Sequence, residues 1–163
     1  MVDLKNKEEV LKEMEDDILS LEDVDASLSS DIDVVKKALN ENGFDEFQFA
    51  HESLKKDRNF IFNILDEDIA LRAKDEGRML GYLIEFVGEE FKNDKEFVKK
   101  CFDSAGYDVF PYVHEDLLKD FNFNKDIIIT RQCDKEFLSY LDESLSSNEE
   151  LIAICEEIED SWQ

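Results

Sequence analysis

His51 and His114 are the two histidines of the chain, and each stands directly before a glutamate, in His-Glu-Ser-Leu and His-Glu-Asp-Leu. An imidazole beside a carboxylate is a pairing that can ligate zinc or relay a proton. A zinc-binding helix needs a second imidazole one turn further on, and neither segment has one. Carboxylates gather at Asp16-Asp17, at Asp23 with Asp25, at Asp66-Glu67-Asp68 and at Glu156-Glu157 with Glu159-Asp160. They are hard oxygen donors of the kind calcium takes, yet none has the glycine and the closing glutamate of a calcium loop. Cys101, Cys133 and Cys155 include no CxxC pair, so neither a disulfide framework nor a thiolate zinc site is indicated. A Gly-rich phosphate loop and a GxSxG nucleophile elbow are also missing. The expectation is a protein that is not an enzyme, with no catalytic residue, no metal and no cofactor.

The elements around the histidines explain them better. Residues 28–57 and 91–120 align without a gap at an offset of 63 and share 12 of 30 residues, His51 and His114 among them. A group that recurs in equivalent places of two units serves a repeated local role, here the start of a short helix, whereas a catalytic constellation is usually asymmetric. Cys101 aligns with Ala38, and Cys155 reaches the same position when Leu145–Asn148 is matched to Leu28–Asp31, which predicts a small buried helix site for both.

Helix entrances repeat as well. An apolar residue, two variable ones, Asp or Asn and then an apolar pair occur at Leu28/Asp31/Val34-Val35, Leu54/Asp57/Phe60-Ile61, Phe91/Asp94/Phe97-Val98 and Leu145/Asn148/Leu151-Ile152. The Asp or Asn caps the open N–H groups, and the leading apolar residue pins the turn to the core. Gly43 and Gly106 end the helices that follow. Before the first entrance, Val10, Leu11, Met14, Ile18 and Leu21 lie on one side of a helix over Asn6–Leu21 whose other side is acidic. From Ile69 to Phe91 the apolar spacing predicts a central buried helix, with a tight neighbour or a break at Gly77, Gly81 or Gly88. Ile127-Ile128-Ile129 leaves a short strand open, and Asp134–Phe137 echoes Asp94–Phe97 and predicts a further helix through Phe137, Leu138 and Leu141.

The fold class expected is all-α: stacked helical hairpin repeats in a single compact domain or short solenoid over residues 1–163. Its parts are a capping helix (1–27), a first repeat (28–65), central helices (66–90), a second repeat (91–120) and a degenerate repeat with an acidic C-terminal helix (121–163). The pattern Asp-x-x-Val-Val-x-x-Ala-Leu-x-x-Asn-Gly of residues 31–43, with Ala50, Leu54 and Asp57, resembles a family of short helical repeats known only as a domain of unknown function, found in bacterial, protist and giant-virus proteins. The second copy, Asp94 to Gly106 with Val113, Leu117 and Asp120, is similar but has Ala105 in place of Asn42 and Val113 in place of Ala50. The resemblance implies stacked α-hairpins, carries no known chemistry and assigns no functional residue.

What remains is charge. Against 43 acidic residues stand 19 basic ones, a formal net charge of -24. Nucleic acid is bound through Lys and Arg that displace counterions, and no basic stripe is present, so no direct nucleic-acid binding is expected. The acid concentrates at the ends: residues 1–30 carry 10 acidic and 3 basic side chains, and residues 134–163 carry 10 and 1. No apolar run reaches membrane-span length and the N-terminal segment does not read as a signal peptide, so no membrane and a cytoplasmic location are expected. The function expected is binding to a basic surface of a partner protein, with Asp16, Asp17, Glu156, Glu157, Glu159, Asp160 and Trp162 as the binding residues. The alternative is a nucleic-acid-mimicking inhibitor of a nucleic-acid-binding protein, since carboxylates one helix turn apart are about 5.4 Å from each other.

Overall fold

Six Asp or Asn side chains set the frame of the computed structural model, which describes residues 2–15, 19–72 and 80–162, and all of its regular elements there are helical. Asn6, Asp31, Asp57, Asp94, Asp120 and Asn148 each accept from backbone N–H groups two or three residues on, at 2.9–3.3 Å. Each opens a long helix: α1 Lys7–Glu15, α2 Ile32–Glu41, α4 Arg58–Arg72, α6 Lys95–Ala105, α8 Phe121–Arg131 and α10 Glu149–Ser161. After α2, α4, α6 and α8 comes a 3-10 segment (Phe44–Phe49, Leu80–Glu85, Gly106–Tyr112, Lys135–Tyr140) and then a one-turn helix: α3 Glu52–Lys55, α5 Glu89–Lys92, α7 Glu115–Leu118 and α9 Glu143–Ser146. The all-α class holds, and the unit has three elements: a long helix, a 3-10 segment and a one-turn helix.

Position relative to the cap decides burial. The residue seven places past the cap is Ala38, Ile64, Cys101, Ile127 and Cys155 in α2 to α10, and all five are buried. Eight places past it stand Met14, Leu39, Leu65, Phe102 and Ile128, again buried, whereas α10 has an exposed Glu156 there. The leading apolar residues Leu28, Leu54, Phe91, Leu117 and Leu145 are buried too, since each anchors a turn on the core.

The units are joined by a recurring backbone bond. The residue that starts each short turn donates its N–H to the carbonyl two residues before the preceding cap: Asp25 to Leu4 (3.1 Å), His51 to Ser29 (2.9 Å), His114 to Lys92 (3.0 Å) and Asp142 to Leu118 (3.3 Å). Side chains repeat the register. Lys7 pairs with Asp31 and Asp33, Arg58 with Asp94 and Glu96, and Lys95 with Asp120, in each case the cation one place past a cap meeting the next cap. On the 3-10 side, Tyr82 donates to Asp108 (2.6 Å) and Tyr107 to Asp134 (3.1 Å), one unit on in each case. Exposed ion pairs contribute about 0–1 kcal/mol each, so these set the register of stacking more than its stability.

Several expectations are corrected. Among the described residues the first helix runs Lys7–Glu15; residues 16–18, with Ile18, lie outside the described set, and Leu21 is buried in a turn rather than on the helix. That turn is held by Glu46, a buried carboxylate that accepts from the Leu21 N–H at 2.5 Å and from Ser20 Oγ. No single central helix spans Ile69–Phe91: α4 runs to Arg72, the described chain resumes in the 3-10 segment Leu80–Glu85, and Gly88 starts α5. Gly77 and Met79 lie outside the described residues. Gly81 has the tight neighbour, for a Cβ there would stand 2.3 Å from the Cys101 carbonyl oxygen. The Ile127–Ile129 run lies inside α8, with no strand among the described residues. Asp134 caps a 3-10 segment through Glu136 N–H, and Leu141 lies just past its end. Residues 121–146 thus form a full unit of α8, 3-10 segment and α9.

Candidate partner-binding surface

The histidines take the structural role. His51 Nδ1 accepts from the Ser53 N–H and His114 Nδ1 from the Asp116 N–H, both at 3.2 Å, each capping a one-turn helix. At the same place Asp142 Oδ1 accepts from Ser144 N–H at 3.0 Å and Asp25 Oδ1 from Ser27 N–H at 3.0 Å. An imidazole that an aspartate replaces in the sister unit is serving as a hydrogen-bond acceptor. The thiols are equally structural: all three are buried, and burial pushes Cys101 well above the ordinary thiol value and Cys133 and Cys155 up to about 11. Among the described residues no group of three His, Cys, Asp or Glu could hold a metal ion, and no helix is long and apolar enough to cross a membrane.

Most of the described basic side chains are consumed inside the chain. Fourteen of the described lysines and arginines form ion pairs, most of them across joints between units. The acids outnumber them by more than two to one, so the surplus faces solvent.

Of the expected binding residues, Asp16 and Asp17 lie outside the described residues, and the other five fall on or just after α10. Their acids fall into two sets. Glu156 and Glu159 converge on Lys135, with Nζ 2.9 Å from Glu156 and 3.8 Å from Glu159, and Glu159 also accepts from the Lys135 backbone N–H at 2.8 Å. The Lys135 ammonium is accordingly held above its ordinary value, first by the Glu156 hydrogen bond. Glu157 and Asp160 remain exposed, and Trp162 closes α10 with 58% of its surface accessible.

Glu157 forms part of an open groove of about 360 Å³ between α8 and α10, lined also by Ile129, Gln132, Ile154, Ile158 and Ser161. Ile129 is 45% exposed. The sequence reading missed this apolar floor; its signal was the third isoleucine of Ile127–Ile129, one more than a helix with a single buried stripe can cover.

A family model described as a domain of unknown function, DUF4116, matches residues 66–118, from late α4 through α7. It covers residues 91–118 of the second sequence copy and does not reach residues 31–57, where the resemblance is fullest. No curated protein and no solved structure matches the chain.

Proposed function

We propose that the chain is a cytoplasmic, non-enzymatic interaction module, built of units of one repeat family, whose partner is a protein with a basic surface. The observation that carries this reading is the use of charge: cations are paired within the chain, while a surplus that sums to -24 stays on exposed faces and concentrates on α10, which has six acidic residues and no basic one. Such a field speeds encounter with a positive surface and repels acidic ones. Free, buried thiols suit a reducing compartment.

The test is affinity capture from the source cell with the intact chain as bait, followed by association rates for the purified partner at rising salt. A steep fall between low and physiological ionic strength is expected. A salt-insensitive complex would refute the reading. Competition by duplex DNA for the same partner would assign the acidic face to nucleic-acid mimicry.

A further inference from the structure

Three joints between long helices share one device. Nine places past the cap stands an acid, and it pairs with a cation on the next long helix: Glu15 with Lys37, Asp66 with Lys100 and Asp103 with Arg131. Lys37 and Lys100 both sit six places past their own caps. At the α8–α10 joint the same two positions are Ile129 and Ile154. The polar seal is thus replaced by two isoleucines that line an open groove, with Ile158 as its floor and Glu157 on its wall. Exposed Ile129 next to a largely acidic helix costs solubility with no gain in stacking, which is what a surface kept for a ligand looks like.

Charge selects the occupant. A second copy of this chain would bring a net charge of -24 against α10, whose charged side chains are Glu149, Glu150, Glu156, Glu157, Glu159 and Asp160. A further unit of the same repeat would bring a cap acid to a helix that has no cation to receive it. We infer that the α8–α10 groove docks a cationic amphipathic helix of the partner, its apolar stripe seated on Ile129, Ile154 and Ile158 and its Lys or Arg residues against Glu157 and Asp160. Isoleucines in the floor and carboxylates on the rim are what such a helix needs, and helix-in-groove docking is a common mode of peptide recognition. Trp162 directly follows groove residue Ser161 and is exposed, so its emission reports on a helix bound there. This rests on the basic-partner reading above and names the partner's chemistry.

The experiment uses the full chain and two synthetic peptides of equal length and charge, one an amphipathic Leu/Lys helix and the other a Lys/Ser peptide without an apolar face, read by fluorescence anisotropy and Trp162 emission. The amphipathic peptide is expected to bind at least tenfold more tightly than the Lys/Ser peptide and to shift Trp162 emission to the blue. The double variant Ile129→Asp/Ile154→Lys, which rebuilds the ion pair of the α1–α2 and α4–α6 joints, is expected to lose at least tenfold in affinity for the amphipathic peptide while keeping helical circular dichroism. Ile129→Asp alone, at an exposed site, should lose several-fold, which covers the case of a misfolded double variant. Equal binding of both peptides, unchanged by either variant, would overturn the groove while leaving the basic-partner reading intact. No binding of either peptide would count against both. A dimer of the chain alone that the variants dissociate would give the groove to a second copy and overturn the inference.

Discussion

Replacing His114 separates a structural imidazole from a chemical one. In His114→Ala the Asp116 N–H loses its 3.2 Å acceptor, and a one-turn helix loses its cap. Loss of a side-chain cap costs about 0.5–2 kcal/mol. For a chain of this length about 1 kcal/mol lowers the midpoint by roughly 2–4 °C. His114→Asp should restore nearly all of it, because Asp142, in the next unit and likewise followed by Glu, already caps α9 with that side chain at 3.0 Å. The backbone bond from residue 114 to the Lys92 carbonyl at 3.0 Å needs no particular side chain and persists in both variants. Differential scanning calorimetry of the three proteins, with and without equimolar zinc, is the assay. An Asp variant as unstable as the Ala variant, or a zinc-dependent midpoint in wild type alone, would refute the capping argument.

Three further outcomes are expected. Gly81→Ala should destabilise by about 1–3 kcal/mol in urea unfolding, since its Cβ would press on the Cys101 carbonyl at 2.3 Å and force the 3-10 segment off α6. Leu54→Ala and Leu117→Ala, at matching buried positions, should each cost about 2–5 kcal/mol, and an outcome near zero for either would break the equivalence of the units. Partial burial of Asp94 acts to raise its carboxyl, but the Phe97 N–H and the Arg58 guanidinium outweigh it and hold the group below the ordinary carboxylate value. Its contribution is therefore complete above the unfolded value of about 3.9 and is lost as pH falls through the lower folded value, so the stability gap between wild type and Asp94→Asn should shrink from pH 5 to pH 2.

Much of the fold was legible because caps and leading apolar residues act locally. The pairs Val34-Val35 and Phe97-Val98, Phe47 with Phe110 and Leu54 with Leu117 are buried as their matched spacing requires. The true period was hidden, since the offset of 63 covers two units and the one from Asp57 to Asp94 is longer than those beside it. The entrance at Asp120 was missed for a definite reason. Its apolar pair is Phe123-Asn124, and Asn124 is fully buried because its Nδ2 donates to the Leu117 and Asp120 carbonyls, a role no hydrophobic pattern encodes. The central helix failed because apolar spacing over six residues is alike in α and 3-10 geometry, and the contact between Gly81 and α6 that decides between them is tertiary. The pairing on α10 is also tertiary: Lys135, distant in sequence, draws Glu156 and Glu159 to itself and leaves Glu157 and Asp160 without it.

In a stack of like units, what recurs is what stacking requires, so functional information lies where a unit departs from its sisters. Asp142 in place of His51 or His114 is a neutral departure, because the same N–H is satisfied. Glu156, where five other long helices bury an apolar residue, makes one face of α10 polar and pairs it with Lys135. The exchange of an acid–base pair for Ile129 and Ile154 has no such account. Apolar burial favours folding only for area that leaves water, and nearly half of Ile129 does not, so within the isolated chain the exchange brings limited stability and forgoes an ion pair. The docking proposed above supplies one: apolar surface exposed beside carboxylates suits a second molecule with basic charge and an apolar face.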